Sequence, residues 1–219
     1  MTKITCALLV CLAAAAAPPA GETWMFDNLD LIGGHKPTVL GHPQIIATPG
    51  GKAVQFNGVD DALFFDTHPL AGVEAFTWEV IFRPDLGGAP EQRFFHLQPD
   101  GPGPVGQGDR MLFEIRVIGD QWALDSFVTT GPDSRALLDN KKLHPLGQWY
   151  DVAAVYDGQE FRNYVDGVLQ GSGPLHVAPQ KAGQASVGVR FNKRDYFKGA
   201  VREARMTPRA LTPAEFLKK

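Results

Sequence analysis

"QWYDVAAVYDGQEFRNYVDGVLQGSG", residues 148–173, decides the architecture. Three short apolar runs are separated by Asp157–Gly158 and Asp166–Gly167. Asp-Gly between apolar runs is a strong hairpin signal, because both residues accept the positive φ of a tight two-residue turn. The stretch reads as a three-strand antiparallel meander.

The same texture continues on both sides. "AFTWEVIFRP" (75–84) alternates, with Phe76, Trp78, Val80 and Phe82 on one face and Thr77, Glu79, Ile81 and Arg83 on the other. "KAVQFNG" (52–58) and "DALFFD" (61–66) flank a turn at Gly58–Asp60, and "QRFFHLQ" (92–98) follows as a strand. "PDGPGPVGQGDR" (99–110) is too rich in turn formers to be one. "MLFEIRVI" (111–118) and "QWALDSFVT" (121–129) make a hairpin over Gly119–Asp120. "ASVGVRFN" (185–192) and "YFKGAVREARMT" (196–207) are the last strands. Helical signals wait for "TPAEFLKK" (212–219): Thr212 suits an N-cap, Pro213 the first helical position, and Glu215 a capping box. Leu211 can staple to Phe216. The expected fold is all-β: an antiparallel sandwich with one short C-terminal helix over a sheet edge or mouth.

The chain has 219 residues, 44% of them hydrophobic and 21% charged, enough for one sizeable β domain. A net charge of -3 supplies no basic field to collect nucleic acid. Lys3 precedes the apolar run "ITCALLVCLAAAAA" (4–17), which is shorter than the roughly 20 residues of a membrane span. Small residues follow at Ala15, Ala17, Ala20 and Gly21. This predicts a signal peptide over 1–21, one domain over 22–219, and a secreted or periplasmic location with no transmembrane segment. Cys6 and Cys11 both lie in that leader, so the exported domain has no disulfide and no thiolate.

"VQFNGVDD", "AFTWEVIFRPD", the 147–173 meander and "SVGVRFNKRDYFKGAVREARMTPRALTPAEFL" occur in that order. Together they resemble the laminin G-like, concanavalin A-like lectin/glucanase family of jelly rolls, over roughly Phe26 to Leu217. The most specific elements are Trp149, the Asp166–Gly167 turn, the F-x-G-x-V-x-E-x-R run from Phe197 to Arg205, and "LTPAEF". The resemblance implies a concanavalin A-like fold that hosts lectins, adhesion modules, glycosidases and lyases alike. It also implies an acidic pair before the last-strand arginine, of which the first member can help hold a structural calcium ion. Here Arg202 stands at that position and only Glu203 is retained.

Retaining glycosidases on this fold want a Glu-x-Asp-x-x-Glu spacing that places two carboxylates on one strand face. Glu114 stands in "FEIR" without it. "YFKGAV" is similar to a motif of one alginate lyase family, but the accompanying Gln-Ile-His element is absent. The six histidines show no zinc-like spacing; His68, His144 and His176 are expected to be solvated loop residues. For ligand binding, sugar rings stack on aromatic side chains while polar groups bond the hydroxyls. Arg116, Trp122, Arg190, Asn192 and Tyr196 are the candidate contacts, with "RFNKRDY" as a rim loop. Trp78 and Trp149 are assigned to the core. Asp27, Asn57 and Asp60 are the candidate ligands of a structural calcium, set against their ordinary role as turn formers. The leading function is non-catalytic binding of a glycan or an extracellular protein. The alternative is a carbohydrate-active enzyme, a polysaccharide lyase or glycoside hydrolase.

Overall fold

A computed structural model describes residues 20–101 and 107–219. The expected signal peptide therefore lies almost wholly outside the described residues. Strands run Glu22–Met25 (β1), Thr38–Leu40 (β2), Gln44–Thr48 (β3), Gly51–Asn57 (β4), Ala62–Phe65 (β5), Phe76–Pro84 (β6), Glu91–Pro99 (β7) and Arg110–Ile118 (β8). They continue with Gln121–Thr130 (β9), Asp133–Leu138 (β10), His144–Pro145 (β11), Tyr150–Tyr156 (β12), Glu160–Val165 (β13), Val168–Pro174 (β14), Gly183–Val187 (β15) and Lys198–Thr207 (β16). One sheet has the order β14-β13-β12-β6-β16-β4-β3, with β1 also on β16. The other has the order β10-β9-β8-β7-β15-β5-β2, with β11 also on β9. The fold is an antiparallel jelly-roll sandwich.

The meander forms where its turns require. Asp166 and Gly167 adopt φ of 48° and 76°, the left-handed conformation that lets β13 turn directly into β14. Period-2 alternation then sorts side chains between core and outer face. Phe76, Trp78, Val80 and Phe82 enter the core, where they meet Phe94, Phe95 and Phe113 of the second sheet. Trp78 packs edge-on to Phe95 at 5.1 Å, and Phe82 stacks on Phe94 at 4.3 Å. Three register shifts interrupt the ladders among the described residues: one between Arg93 and Phe95 keeps both Phe94 and Phe95 inside, one between Val201 and Glu203 isolates Arg202, and one between Asn163 and Tyr164 leaves Gln170 unpaired in the β13–β14 register.

The expected C-terminal helix is a single 3-10 turn, Pro213–Glu215. Its capping chemistry is present, with the Thr212 N–H donating to Glu215 Oε2 at 2.8 Å. Leu211 and Phe216 are buried on Ala153 and Val155, so the last residues strap the outer face of the first sheet. Trp149 departs from its core assignment: it is half-buried on that outer face, flanked by the guanidiniums of Arg83 at 5.4 Å and Arg202 at 5.6 Å. A cation on an aromatic face explains why a tryptophan is held there. His68 and His144 are packed rather than freely solvated. His68 is buried against Gln180 at 2.8 Å, and His144 lies 5.1 Å from Trp122.

Gly188 shows where backbone freedom is required. It has φ of 90°, and a Cβ there would come within 2.5 Å of the Phe56 ring and 2.9 Å of the Asp61 carbonyl. Gly188→Ala is expected to cost about 2 kcal/mol through strain and overpacking, read as a lower urea midpoint with unchanged slope.

Candidate functional site

The outer face of the second sheet concentrates polar chemistry that a solvent-facing sheet does not need. On β9, Trp122, Leu124 and Val128 point to the core, which sends Ala123, Asp125 and Phe127 outward. Ladder register lays the rest of the outer face beside them. Arg116 pairs with Glu91 and Ala123, Glu114 with Arg93 and Asp125, and Leu112 with His96 and Phe127, while Arg110 lies opposite Thr129.

Half of this face is an ion-pair network. Arg93 bonds to Glu114 and Asp195, and to Glu91 at 3.0 Å. Arg116 grips Asp125 through Nη2 at 2.6 Å and Nε at 2.9 Å, and also pairs with Glu91. Glu114 and Asp125 are only 5% and 3% exposed, and burial of that degree is tolerable for carboxylates only when they are paired. Burial pushes the Glu114 carboxyl up against the pull of Arg93, and Asp125 beside it adds to the rise. The exposed Glu91 is held low by its bond to Arg116.

The other half is aromatic and cationic. The Arg110 guanidinium lies 4.8 Å over the Phe127 ring. His96 is fully buried and accepts the Phe191 N–H on Nδ1 at 3.2 Å. Burial, reinforced by Arg190 and Arg110, holds its pKa well below the usual value, so the ring is neutral with its proton on Nε2. Burial also lowers both guanidiniums, and for Arg190 the charges of Arg110 and Arg93 add to it.

A loop from Gly188 to Phe197 forms the rim. Its ends meet through the Phe197 N–H on the Gly188 carbonyl at 2.8 Å, and Lys193 turns back on Arg190 at 2.8 Å. Phe191 packs at 4.8 Å on His96 and 5.8 Å on Phe64. Lys193 and Asp195 hold φ of 56° and 57°, a conformation that non-glycine residues adopt at a cost and that gathers at binding sites.

The structure thus brings together Arg116, Arg190, Asn192 and Tyr196 around one face. Arg116 belongs to the ion-pair network, Asn192 is exposed on the rim, and half-buried Tyr196 bridges to Arg93. Trp122 is a correction: it is fully buried between Phe82 and Tyr150, each ring at 5.1 Å, and cannot serve as a sugar platform. Sequence reasoning missed Arg93, Arg110, Asp125 and Phe127. The available signal was a charged residue at alternate positions of otherwise apolar strands.

Of the candidate calcium ligands, Asn57 and Asp60 lie together in one turn and are engaged in its hydrogen bonds. Asn57 Oδ1 accepts the Val59 and Asp60 N–H groups at 2.8 and 3.1 Å, and its amide donates to Asp60 at 2.7 Å. Asp27 accepts from Asn28 at 2.7 Å. These residues are turn formers. The position of the missing acid carries the Arg202 guanidinium, which repels a cation. Among the described residues, no three His, Cys, Asp or Glu side chains are grouped to hold a metal ion.

A second concavity, about 540 Å³, opens at one end of the sandwich between Gln98, Asp109, Thr130, Pro132, His176 and Gln180. Its described lining residues come mostly from the β7–β8, β9–β10 and β14–β15 connections.

Fold and site together define a jelly-roll β-sandwich with a polar, aromatic-lined outer face. The chain belongs to the concanavalin A-like lectin/glucanases superfamily, whose laminin G-type model matches residues 57–216. Among solved structures it is similar to domain 4 of an extracellular family GH43 arabinanase from Geobacillus stearothermophilus, solved with arabinotriose. That match has a TM-score of 0.66 at 20% identity and covers 91% of this chain and 97% of that one. The binding domain of Paraclostridial mosquitocidal protein 1 gives 0.65 at 11% identity, covering 90% of this chain and 50% of that one. A Trypanosoma rangeli sialidase gives 0.63 at 14% identity, covering 89% and 31%. No curated protein sequence matches the chain. Among the described residues, no helix is long and apolar enough to cross a membrane.

Proposed function

We propose that this is an exported, non-catalytic domain that binds carbohydrate on the outer face of its second sheet. One observation carries the reading: half-buried guanidiniums, carboxylates and the Phe127 and Phe191 rings share a face bounded by a strained polar loop. Fixed hydrogen-bonding groups beside aromatic rings are what a sugar ring needs from a protein. The similarity to a domain solved with arabinotriose points the same way. The polar groups are already braced against one another, which favours recognition over proton transfer.

A specific feature favours catalysis as the second reading. Glu114 and Asp125 are direct cross-strand neighbours, the kind of carboxylate pair that glycoside hydrolysis uses. Both are clamped by arginines, so binding remains the better account.

The test is a glycan array followed by titration calorimetry on hits, with product analysis of every bound polysaccharide. Binding without new products is expected, weakened by substitution of Asn192 and Tyr196. Cleavage abolished by Glu114→Gln would replace this reading with the enzymatic one. A protein that binds no glycan would sink both and leave an extracellular protein partner as the ligand to seek.

A further inference from the structure

Resting on that assignment of the outer face, we infer that the half formed by Arg110, Arg190 and His96 is a subsite for the carboxylate of an acidic sugar.

The ion-pair half and the cationic half differ in how their charges are used. In the first, Arg93 and Arg116 are spent on Glu91, Glu114, Asp125 and Asp195. In the second, Arg110 makes no ion pair among the described residues. Its Nη1 donates to the Gly108 carbonyl at 2.7 Å, and its Nε is buried without an acceptor. Asp109 and Glu114 lie within electrostatic range, but Asp109 accepts from the Gly131 N–H at 2.7 Å and Glu114 is bonded to Arg93. The Arg110 plane is fixed by Phe127 at 4.8 Å, so its free edge is oriented before any ligand arrives.

His96 supplies the second observation. It is fully buried on the same face, and Nδ1 is consumed by the Phe191 N–H. Nε2 therefore carries the proton, and it has no acceptor. A buried donor left without an acceptor is costly and calls for a ligand atom. Arg190 immediately precedes Phe191, whose N–H bonds His96, the charge of Arg110 bears on it, and Lys193 sits 5.9 Å over Phe64 at the rim. Donors predominate here, and an apolar floor of Leu112 and Phe127 excludes water. A planar anion with two oxygens satisfies such a set, because guanidinium–carboxylate pairs are bidentate and charge-assisted. A neutral sugar would leave the Arg110 charge without a counter-charge and the His96 N–H with only a weak acceptor.

The experiment measures binding of the purified protein to uronate trisaccharides and sialyllactose. The same titrations are run with their methyl esters and with lactose. The expected result is tighter binding of an acid than of its ester, weakening with added salt. Arg110→Gln should reduce affinity for the acid at least about tenfold, as truncating one partner of a buried charge pair does. It should cost the ester several-fold less than the acid, with an unaltered melting temperature confirming the fold. His96→Gln, which retains an N–H donor, provides a second variant should Arg110→Gln fold poorly, and should cost less than His96→Leu. Equal binding of acid and ester would overturn the subsite while leaving carbohydrate binding intact. Binding of no glycan at all would overturn both.

Discussion

Arg205→Ala is expected to destabilise the protein by roughly 3–5 kcal/mol, the penalty for stranding one member of a buried ion pair. Glu79 is wholly buried on the outer face of β6, beneath the C-terminal strap. Arg205 reaches it from β16 with Nε on Oε2 at 2.7 Å and Nη2 on Oε1 at 2.9 Å. The same guanidinium donates to the Glu215 carbonyl at 2.7 Å, and the Leu217 N–H closes on Glu79 Oε1 at 2.7 Å. Removing the guanidinium leaves a carboxylate that neither water nor another cation reaches without lifting the strap. Urea titration at pH 7 measures the loss. Glu79→Gln combined with Arg205→Met should recover most of it, since a neutral amide needs no counter-charge. If Arg205→Ala stays within about 1 kcal/mol of the parent, the strap opens readily and Glu79 is hydrated. The pair then contributes nothing beyond a surface contact.

This centre shows what the sequence could and could not reveal. The alternation of 75–84 placed Glu79 opposite the core, and that assignment is right. Its burial depends on residues 209–217 returning across the sheet, a contact separated by more than a hundred positions and invisible to local periodicity. The meander was legible because its Asp-Gly turns are local chemistry. Short edge strands such as β2 and β11 carry too few residues to show a period. The candidate site divided along the same line. Arg190, Asn192 and Tyr196 stand in one visibly polar run. Trp122 was misplaced although Trp122, Leu124 and Val128 already alternate as an inward face. The Arg93–Glu114–Asp125 relay needs the register of three strands, shifted by the bulge before Phe95, and no single stretch contains that information.

Stability is expected to fall as pH rises from about 5 to 8, with Asp151 as a principal cause. Its carboxyl is pushed up from 3.8 to about 8, first by burial and then by the charges of Glu79 and Asp166, against the weaker pull of Arg205 and Lys218. Asp151 Oδ1 is buried without a hydrogen-bond donor, so no direct bond to that oxygen offsets the cost of ionising it. Between those two pKa values the folded chain holds a proton that the unfolded chain has released. The associated stability is complete below the unfolded value and is lost as pH climbs through the folded one. Each pH unit in the window is worth at most about 1.4 kcal/mol, and relaxation around the site takes part of that, so a loss of about 2–3 kcal/mol is expected. Glu114 and Glu203 are also raised by burial and add a slope of the same sign. Asp151→Asn isolates the contribution of Asp151. It should be more stable than the parent at pH 8 by about 1–2 kcal/mol and should lose that advantage by pH 5. Parallel urea-stability profiles for the two proteins across this range would show that Asp151 is ionised and solvated in the folded state. Converging profiles would place its proton beneath the strap, where a second carboxylate beside Glu79 can be accommodated only in neutral form.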